Sequence, residues 1–391
     1  MSDKLYYRNS YQRESTARIL KEKTDDKGLW LQLDRNLFYP GGGGQLPDKG
    51  QIAGNELQAI LEDEGIIWHC VNKNAALKEN DEVQVEIDWF FRYGNMQQHS
   101  GQHLLSHVLW ENGLKTVSVH LGENYTMIEV EGGFPNDELM NKVEDEANQL
   151  IRKAIAIKTF ITDRKKAEKL PLRKPAGNWD ELRIVEINGI DFSACGGTHV
   201  NNTSEIGLIK YLGTEKIRGH ARLKFVTGES AYKYFAQLHI VTNQMKETLQ
   251  TDPAQFPDKL NMLLEDLASY KKENNQLKKY YIQYLVNEIL KNTEAENELI
   301  VFNYNDGNFE DIKEVSKFLA NDYNKINFIY GNGRFSLRVP ENNNFNASQF
   351  IREQGNNFTL KGGGPKDFIQ GVYTNINQDE LTKVLATYKK K

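Results

Sequence analysis

A chain of 391 residues, 39% hydrophobic and 26% charged, has the length of about two to three domains and the composition of a folded globular protein. It excludes a membrane-spanning helix, since no run of about 18 apolar residues occurs, and a disulfide framework, since Cys70 and Cys195 are its two cysteines. The polar start MSDKLYYRNSYQRE has no apolar signal core, which points to a reducing cytoplasm, and a net charge of −5 argues against whole-surface nucleic-acid binding while leaving cations for a local patch.

The first stretch, 1–92, reads as a small β-rich, barrel-like subdomain. Short apolar runs at Leu29 to Leu33, Gln58 to Leu61 and Val83 to Ile87 are separated by Gly, Asn and Asp clusters. Between them, Phe38-Tyr39-Pro40-Gly41-Gly42-Gly43-Gly44-Gln45 is too rich in glycine for a helix or a strand interior, and reads as a loop. The next stretch, 93–230, reads as α+β. Met96, His99, His103, Leu104, His107 and Val108 have helical spacing over 95–113, with Gly113 as the stop. Strands are expected at Ser118–Leu121, Thr126–Glu131 and Leu182–Ile187, with a helix opened by Pro135 and Asn136 in between.

Residues 163–175, DRKKAEKLPLRKP, carry six cations against two acids and form a basic loop. A helical stretch over 231–295 is broken near Pro253 and Pro257. Within it Leu260, Leu263, Leu267, Tyr270, Asn274, Leu277, Tyr281 and Tyr284 alternate steps of three and four. That rhythm suits a coiled coil between two copies or a helical hairpin within one chain. The last stretch, 296–391, reads as a small α/β domain with strands at Leu299–Phe302, Ile326–Tyr330 and Ser336–Val339. Its helices are expected at Phe309–Leu319 and Gln378–Lys389, with a second glycine loop at Lys361–Pro365.

Four residues suggest chemistry. His99 and His103, four apart on a helix, project from one face. Cys195 and His199 are also four apart, and Gly196-Gly197 between them makes a turn that can aim both side chains at one point. Three imidazoles and a thiolate form a plausible Zn²⁺ set and a poor Mg²⁺ or Ca²⁺ set. For each pair taken alone, ordinary packing explains the residues as well. Ser100 stands where the H-E-x-x-H metalloproteases carry glutamate, which lowers that reading. Four protein donors make a closed, structural site unless one position can open.

The segments FYPGGGGQ, QHSGQH and CGGTHV, in this order and at these separations, resemble the editing domain of alanyl-tRNA synthetases and, more closely, the free-standing editing proteins of the AlaX family. The resemblance covers roughly residues 1–230. The helical connector and the KGGGP segment resemble the C-terminal DHHA1-type part of the synthetase, which gives the long form of the family. The resemblance implies a hydrolase that acts in trans on mischarged tRNA(Ala), releasing serine, with glycine as a second candidate, and one zinc per chain held by His99, His103, Cys195 and His199. It implies an aminoacyl pocket lined by Gly42, Gly43 and Gly44, with Arg222 as a further substrate contact. Gln45 and His120 are candidates for orienting the water or the seryl hydroxyl. The tRNA is expected on Arg164, Lys165, Lys166, Lys169, Arg173, Lys174, Lys216, Arg218, Arg222 and Lys224, and a homodimer through 260–284 or the C-terminal domain. The competing classes are a tRNA-binding module with a structural zinc, and a metal-dependent amidohydrolase for a small substrate.

Overall fold

A computed structural model describes residues 3–175, 180–217, 219–293, 297–305 and 308–389. The chain divides into two compact units, Met1–Thr248 and Leu249–Lys391. The helical stretch expected as one connector is shared between them. Glu229–Leu249 ends the first unit and Phe256–Lys291 opens the second. Pro253 sits in a short 3-10 turn and Pro257 in the first turn of the following helix, where a missing N–H does no harm.

The first unit begins with a seven-stranded antiparallel sheet. The long strand Glu14–Thr24 lies at its centre and pairs with Glu82–Ile87 along one half and with Leu29–Leu33 along the other. The two ends of this sheet, Asn55–Glu56 and Ala59–Asp63, are joined by Leu57-Gln58 alone. The three steps from Glu56 to Ala59 span at most about 10–11 Å, so the sheet must curl until its ends approach each other. Its interior is filled by Ile19, Leu31, Leu33, Phe38, Ile52, Val71 and Val85.

The helix Trp89–Glu111 leaves this sheet and runs under a four-stranded antiparallel sheet. That sheet is ordered Lys115–Leu121, Thr126–Glu131, His220–Thr227, Ile209–Ile217. The helix begins six residues earlier than its apolar spacing predicts. Asp88 caps it by accepting from Phe91 N–H. A second helix, Asp137–Arg152, is capped by Asn136 and packs Met140, Val143, Ala147 and Ile151 into the same core. A three-stranded sheet, Ile157–Asp163, Glu181–Ile187 and Asp191–Ala194, completes the unit.

In the second unit a five-stranded sheet is built from Leu299–Asn303, Ile326–Gly331, Arg334–Arg338, Leu360–Gly363 and Phe368–Tyr373. The first two strands are parallel and are joined through the helix Phe309–Asn321. Ile282, Val286 and Ile289 from the end of the helix Phe256–Lys291 are buried against this layer, while Leu260, Leu263, Leu267 and Tyr270 earlier in it are exposed. The glycines of Lys361–Pro365, expected as a loop, largely lie in a strand. Gly362 pairs with Gly371, and a Cβ on Gly362 would stand 2.6 Å from the Gln370 carbonyl oxygen and 2.9 Å from Phe335. Among the described residues, no helix is long and apolar enough to cross a membrane.

Candidate metal centre

The four residues singled out by spacing come together. His99 and His103 lie one turn apart on the helix Trp89–Glu111. Cys195 and His199 lie on the turn that follows the strand Asp191–Ala194. One ligand atom from each falls within 4.8 Å of all the others. Cys195 Sγ is 3.4 Å from His99 Nε2 and 3.4 Å from His199 Nε2. Tetrahedral zinc with ordinary bond lengths sets its donors about 3.3–3.6 Å apart, so two of these pairs already have the spacing a bound ion imposes. Three imidazoles with a thiolate suit zinc and not a hard oxygen-seeking cation. Both cysteines are free thiols.

Each imidazole is turned towards the cluster by a partner on its other nitrogen, as metal-binding histidines commonly are. His99 Nδ1 lies 2.7 Å from Gln45 Oε1. His199 Nδ1 lies 3.1 Å from Ser100 Oγ, which also accepts from Val200 N–H. His103 Nδ1 faces the Asp191 carboxylate at 3.8 Å, a separation for an ion pair and too long for a hydrogen bond. Asp191 is itself gripped by Arg173 through two bonds, of 2.7 and 3.0 Å. Burial works against charge on Asp191, but His103 and Arg173 hold its carboxyl far below the usual range. Burial likewise opposes a thiolate at Cys195, yet His99, His199 and His103 hold that thiol well below its ordinary value. On His103 burial is outweighed by Cys195 and Asp191, which raise it to about 9.

The glycines explain how these pieces approach. Gly43 and Gly44 occupy a two-residue turn closed by paired backbone bonds between Gly42 and Gln45 of 3.1 and 3.0 Å, with φ of +56° and +90°. Positive φ at both central positions is the turn that favours glycine. It delivers the Gln45 side chain, which accepts from Thr198 N–H and donates to Thr198 Oγ1 as well as meeting His99. Arg183, only 9% exposed, donates from Nη1 to the carbonyls of Cys195 and Gly197 at 2.9 and 2.8 Å and lies over the Tyr7 ring. It therefore clamps the Cys-Gly-Gly turn from behind.

A cavity of about 540 Å³ opens onto the cluster. His99, His103 and Cys195 line it, and His199 lies behind them. Tyr7 and Tyr39 form one wall beside Gly41, Gly42 and Gly43. Gln102 and Thr116 supply polar groups, joined through Ser106 Oγ at 2.7 and 3.0 Å. A bulge between Thr116 and Ser118 brings Thr116 and Val119 to the same cavity-facing side of their strand.

Several expected site residues stand elsewhere. His120 is exposed, and because its neighbour Val119 lines the cavity, strand alternation turns it to the other face. Gly44 packs against Val119 and does not line the cavity. Gln45 is buried behind His99 and reaches the cavity only through that ring. Arg222 lies across from Glu129 and Glu215 on the four-stranded sheet, away from the cavity lining. Of the basic residues, Arg173 is consumed by Asp191, Arg164 bonds Glu168 at 2.9 Å, and Lys166 pairs with Asp163 at 3.0 Å. Lys174 donates to the Val117 carbonyl at 3.4 Å, while Lys216 and Lys224 lie 5.9 and 4.2 Å from the ring centroids of Phe134 and Tyr125. Lys165 and Lys169 are exposed, and Arg218 lies outside the described residues. Asp191, Ser100, Arg183, Gln102 and Thr116 carried no sequence signal of their own.

The stretch 182–223, which contains Cys195 and His199, matches the family described as the threonyl and alanyl tRNA synthetase second additional domain. The chain is 29% identical to the alanyl-tRNA editing protein AlaX-L of Pyrococcus horikoshii, across 95% of this chain and 94% of that one. The similarity to an alanyl-tRNA editing protein thus runs along almost the whole of both chains. The chain is also 30% identical, over 98% of its length, to the alanine-tRNA ligase of Sulfurisphaera tokodaii, of which it spans 43%, and so covers less than half of that enzyme. A solved structure of the exonuclease RecJ bound to manganese aligns with 35% of this chain at 14% identity and a TM-score of 0.27, too low to carry an argument.

Proposed function

We propose that this protein is a zinc-dependent hydrolase that removes a wrongly attached amino acid from tRNA(Ala), with seryl-tRNA(Ala) as its main substrate and glycyl-tRNA(Ala) as a second. The observation that carries the proposal is the cavity. Three of the four candidate ligands line it beside a glycine turn, in a chain related to an editing protein along almost its whole length. His99, His103, Cys195 and His199 would hold the ion. When bound, zinc supplies a fixed positive charge at the ester end of the cavity.

The chain's own residues do the rest. The Cys195 thiolate adds negative charge to the donor set, which favours orientation of substrate and water over strong acid catalysis. Gln45, Ser100 and Asp191 keep the imidazoles in place, so that little motion is needed at the moment of reaction. Gly41 to Gly43 allow backbone to approach the aminoacyl group without side chains intervening. Gln102 and Thr116 are uncharged polar residues that line the cavity with the cluster, and they suit the hydroxyl that serine has and alanine lacks. Both already donate to Ser106 Oγ, so what alanine would leave unmatched is their accepting oxygens, a loss that disfavours alanine.

The test is release of amino acid from Ser-, Gly- and Ala-tRNA(Ala), with seryl-tRNA of another identity as control, each with and without a chelator. Serine release that stops on chelation is expected, with alanine spared. Loss of a group that merely supports a ligand costs about 10–100-fold in metal affinity or activity, so Cys195→Ala should lose more than about 100-fold. Full activity in that variant would refute the assignment. One observation favours a second reading, a tRNA-binding module with a structural zinc: four protein donors can close the coordination shell. That reading expects tRNA binding with no release from any substrate.

A further inference from the structure

A second cavity, of about 780 Å³, adjoins the first. Arg173 and Pro175 line both, so the two cavities are neighbours that meet at these residues. One side of the second cavity is the last turn of the histidine helix, which places His107 and Trp110 beyond His103 on the same element. Trp110 is 44% exposed, and Lys115 Nζ lies 5.6 Å from its ring centroid. Arg164 also lines this cavity.

From this we infer that the second cavity holds the single-stranded 3′ end of the tRNA just upstream of the terminal nucleotide, with one base stacked on Trp110. The inference rests on the proposed reaction, which puts the ester on the terminal ribose at the cluster. The strand 5′ to that ribose must then leave the first cavity, and the neighbouring cavity lies just past Arg173 and Pro175. Trp110 lies seven residues beyond His103, about 10 Å along the helix axis, which is the reach of a nucleotide or two. An accessible indole beside cations is how many proteins hold single strands, through a base on the ring and phosphates near the charges. Charge is not the main term here. Arg164 is bonded to Glu168, and Glu111 also lines the cavity, so stacking carries the contact.

The test compares the whole protein with Trp110→Ala and Trp110→Phe in binding two uncharged acceptor-stem RNAs. One ends in the natural unpaired 3′ nucleotides and the other is trimmed flush with the stem. A base stacked on an aromatic ring is worth about 1–3 kcal/mol. Trp110→Ala should therefore weaken binding of the full-ended RNA about 5- to 150-fold and leave the trimmed RNA unchanged, and Trp110→Phe should restore most of the loss. Unchanged affinity for the full-ended RNA, or equal loss on both, overturns the inference. Binding is read apart from hydrolysis, so a wild-type protein that releases no serine refutes the proposed reaction alone. As a check on folding, Trp110→Ala should keep the circular dichroism spectrum and the thermal unfolding midpoint of the wild type.

Discussion

Gly197 is the tightest point of the candidate metal centre. A Cβ there would stand 2.2 Å from His99 Cε1, 2.3 Å from its Nδ1 and 2.7 Å from Gln45 Oε1. None of these is the free end of a flexible chain, because His99 is held by Gln45 and Gln45 by Thr198. Gly197→Ala must therefore displace His99 or break its bond to Gln45. The expected result is zinc affinity lower by about 10–100-fold, the usual scale for loss of a supporting contact, with circular dichroism little changed. Competition with a coloured chelator measures it, and wild-type affinity would refute the packing argument. Much of this cluster was legible in the sequence, since two four-residue spacings and an intervening Gly-Gly pair picked out all four candidate ligands that the fold brings together. Asp191, Ser100 and Arg183 were not legible. Each reaches the cluster through tertiary contacts, and nothing in the local pattern around an Asp, a Ser or an Arg signals such a contact.

The glycine turn and the histidine helix are fastened together by one buried pair. Arg92, near the start of the helix, bonds Asp48 through Nε at 2.7 and 2.8 Å and through Nη2, and both side chains are fully buried. Its remaining donors reach the carbonyls of Ser10 and Leu37, while Asp48 accepts from Tyr39 N–H at 2.6 Å. The flanks of the 38–45 loop are thus tied to the element that carries His99 and His103. Breaking a buried ion pair leaves one charge without its partner, which typically costs about 3–5 kcal/mol. Arg92→Ala should lower stability by that amount in urea unfolding. The double variant Arg92→Met with Asp48→Leu should lose clearly less, because neither charge is then stranded. Equal losses in the two would show that the pair is not what joins the elements. The same pair explains why the helix start was missed. Its first two turns bury Arg92, which bonds Asp48, and Asn95, and these buried polar positions interrupt the apolar periodicity. The Lys361–Pro365 segment was misread for a related reason. Glycines there serve close strand contact at Gly362 and Gly371, and composition alone cannot separate that from a loop.

All four donors and both cavities lie within Met1–Thr248, and Leu249–Lys391 has its own buried core around Phe328, Phe335, Leu337 and Phe350. Units with separate cores are expected to unfold in separate cooperative steps. A ligand that binds one folded unit stabilises that unit alone. At about 100 times its Kd, zinc adds about 2.7 kcal/mol, and for a unit of this size 1 kcal/mol moves Tm by about 2–4 °C. Scanning calorimetry of the full chain should therefore show two transitions. Removing zinc with a chelator should lower one of them by about 5–10 °C and leave the other where it was. A chain cut after Thr248 should keep the zinc-sensitive transition, because the whole donor set goes with it. If chelation instead moved both transitions equally, or if the shorter chain bound no zinc, the metal centre would depend on residues beyond the first unit, and the cavity around Cys195 would not be a sufficient description of the site.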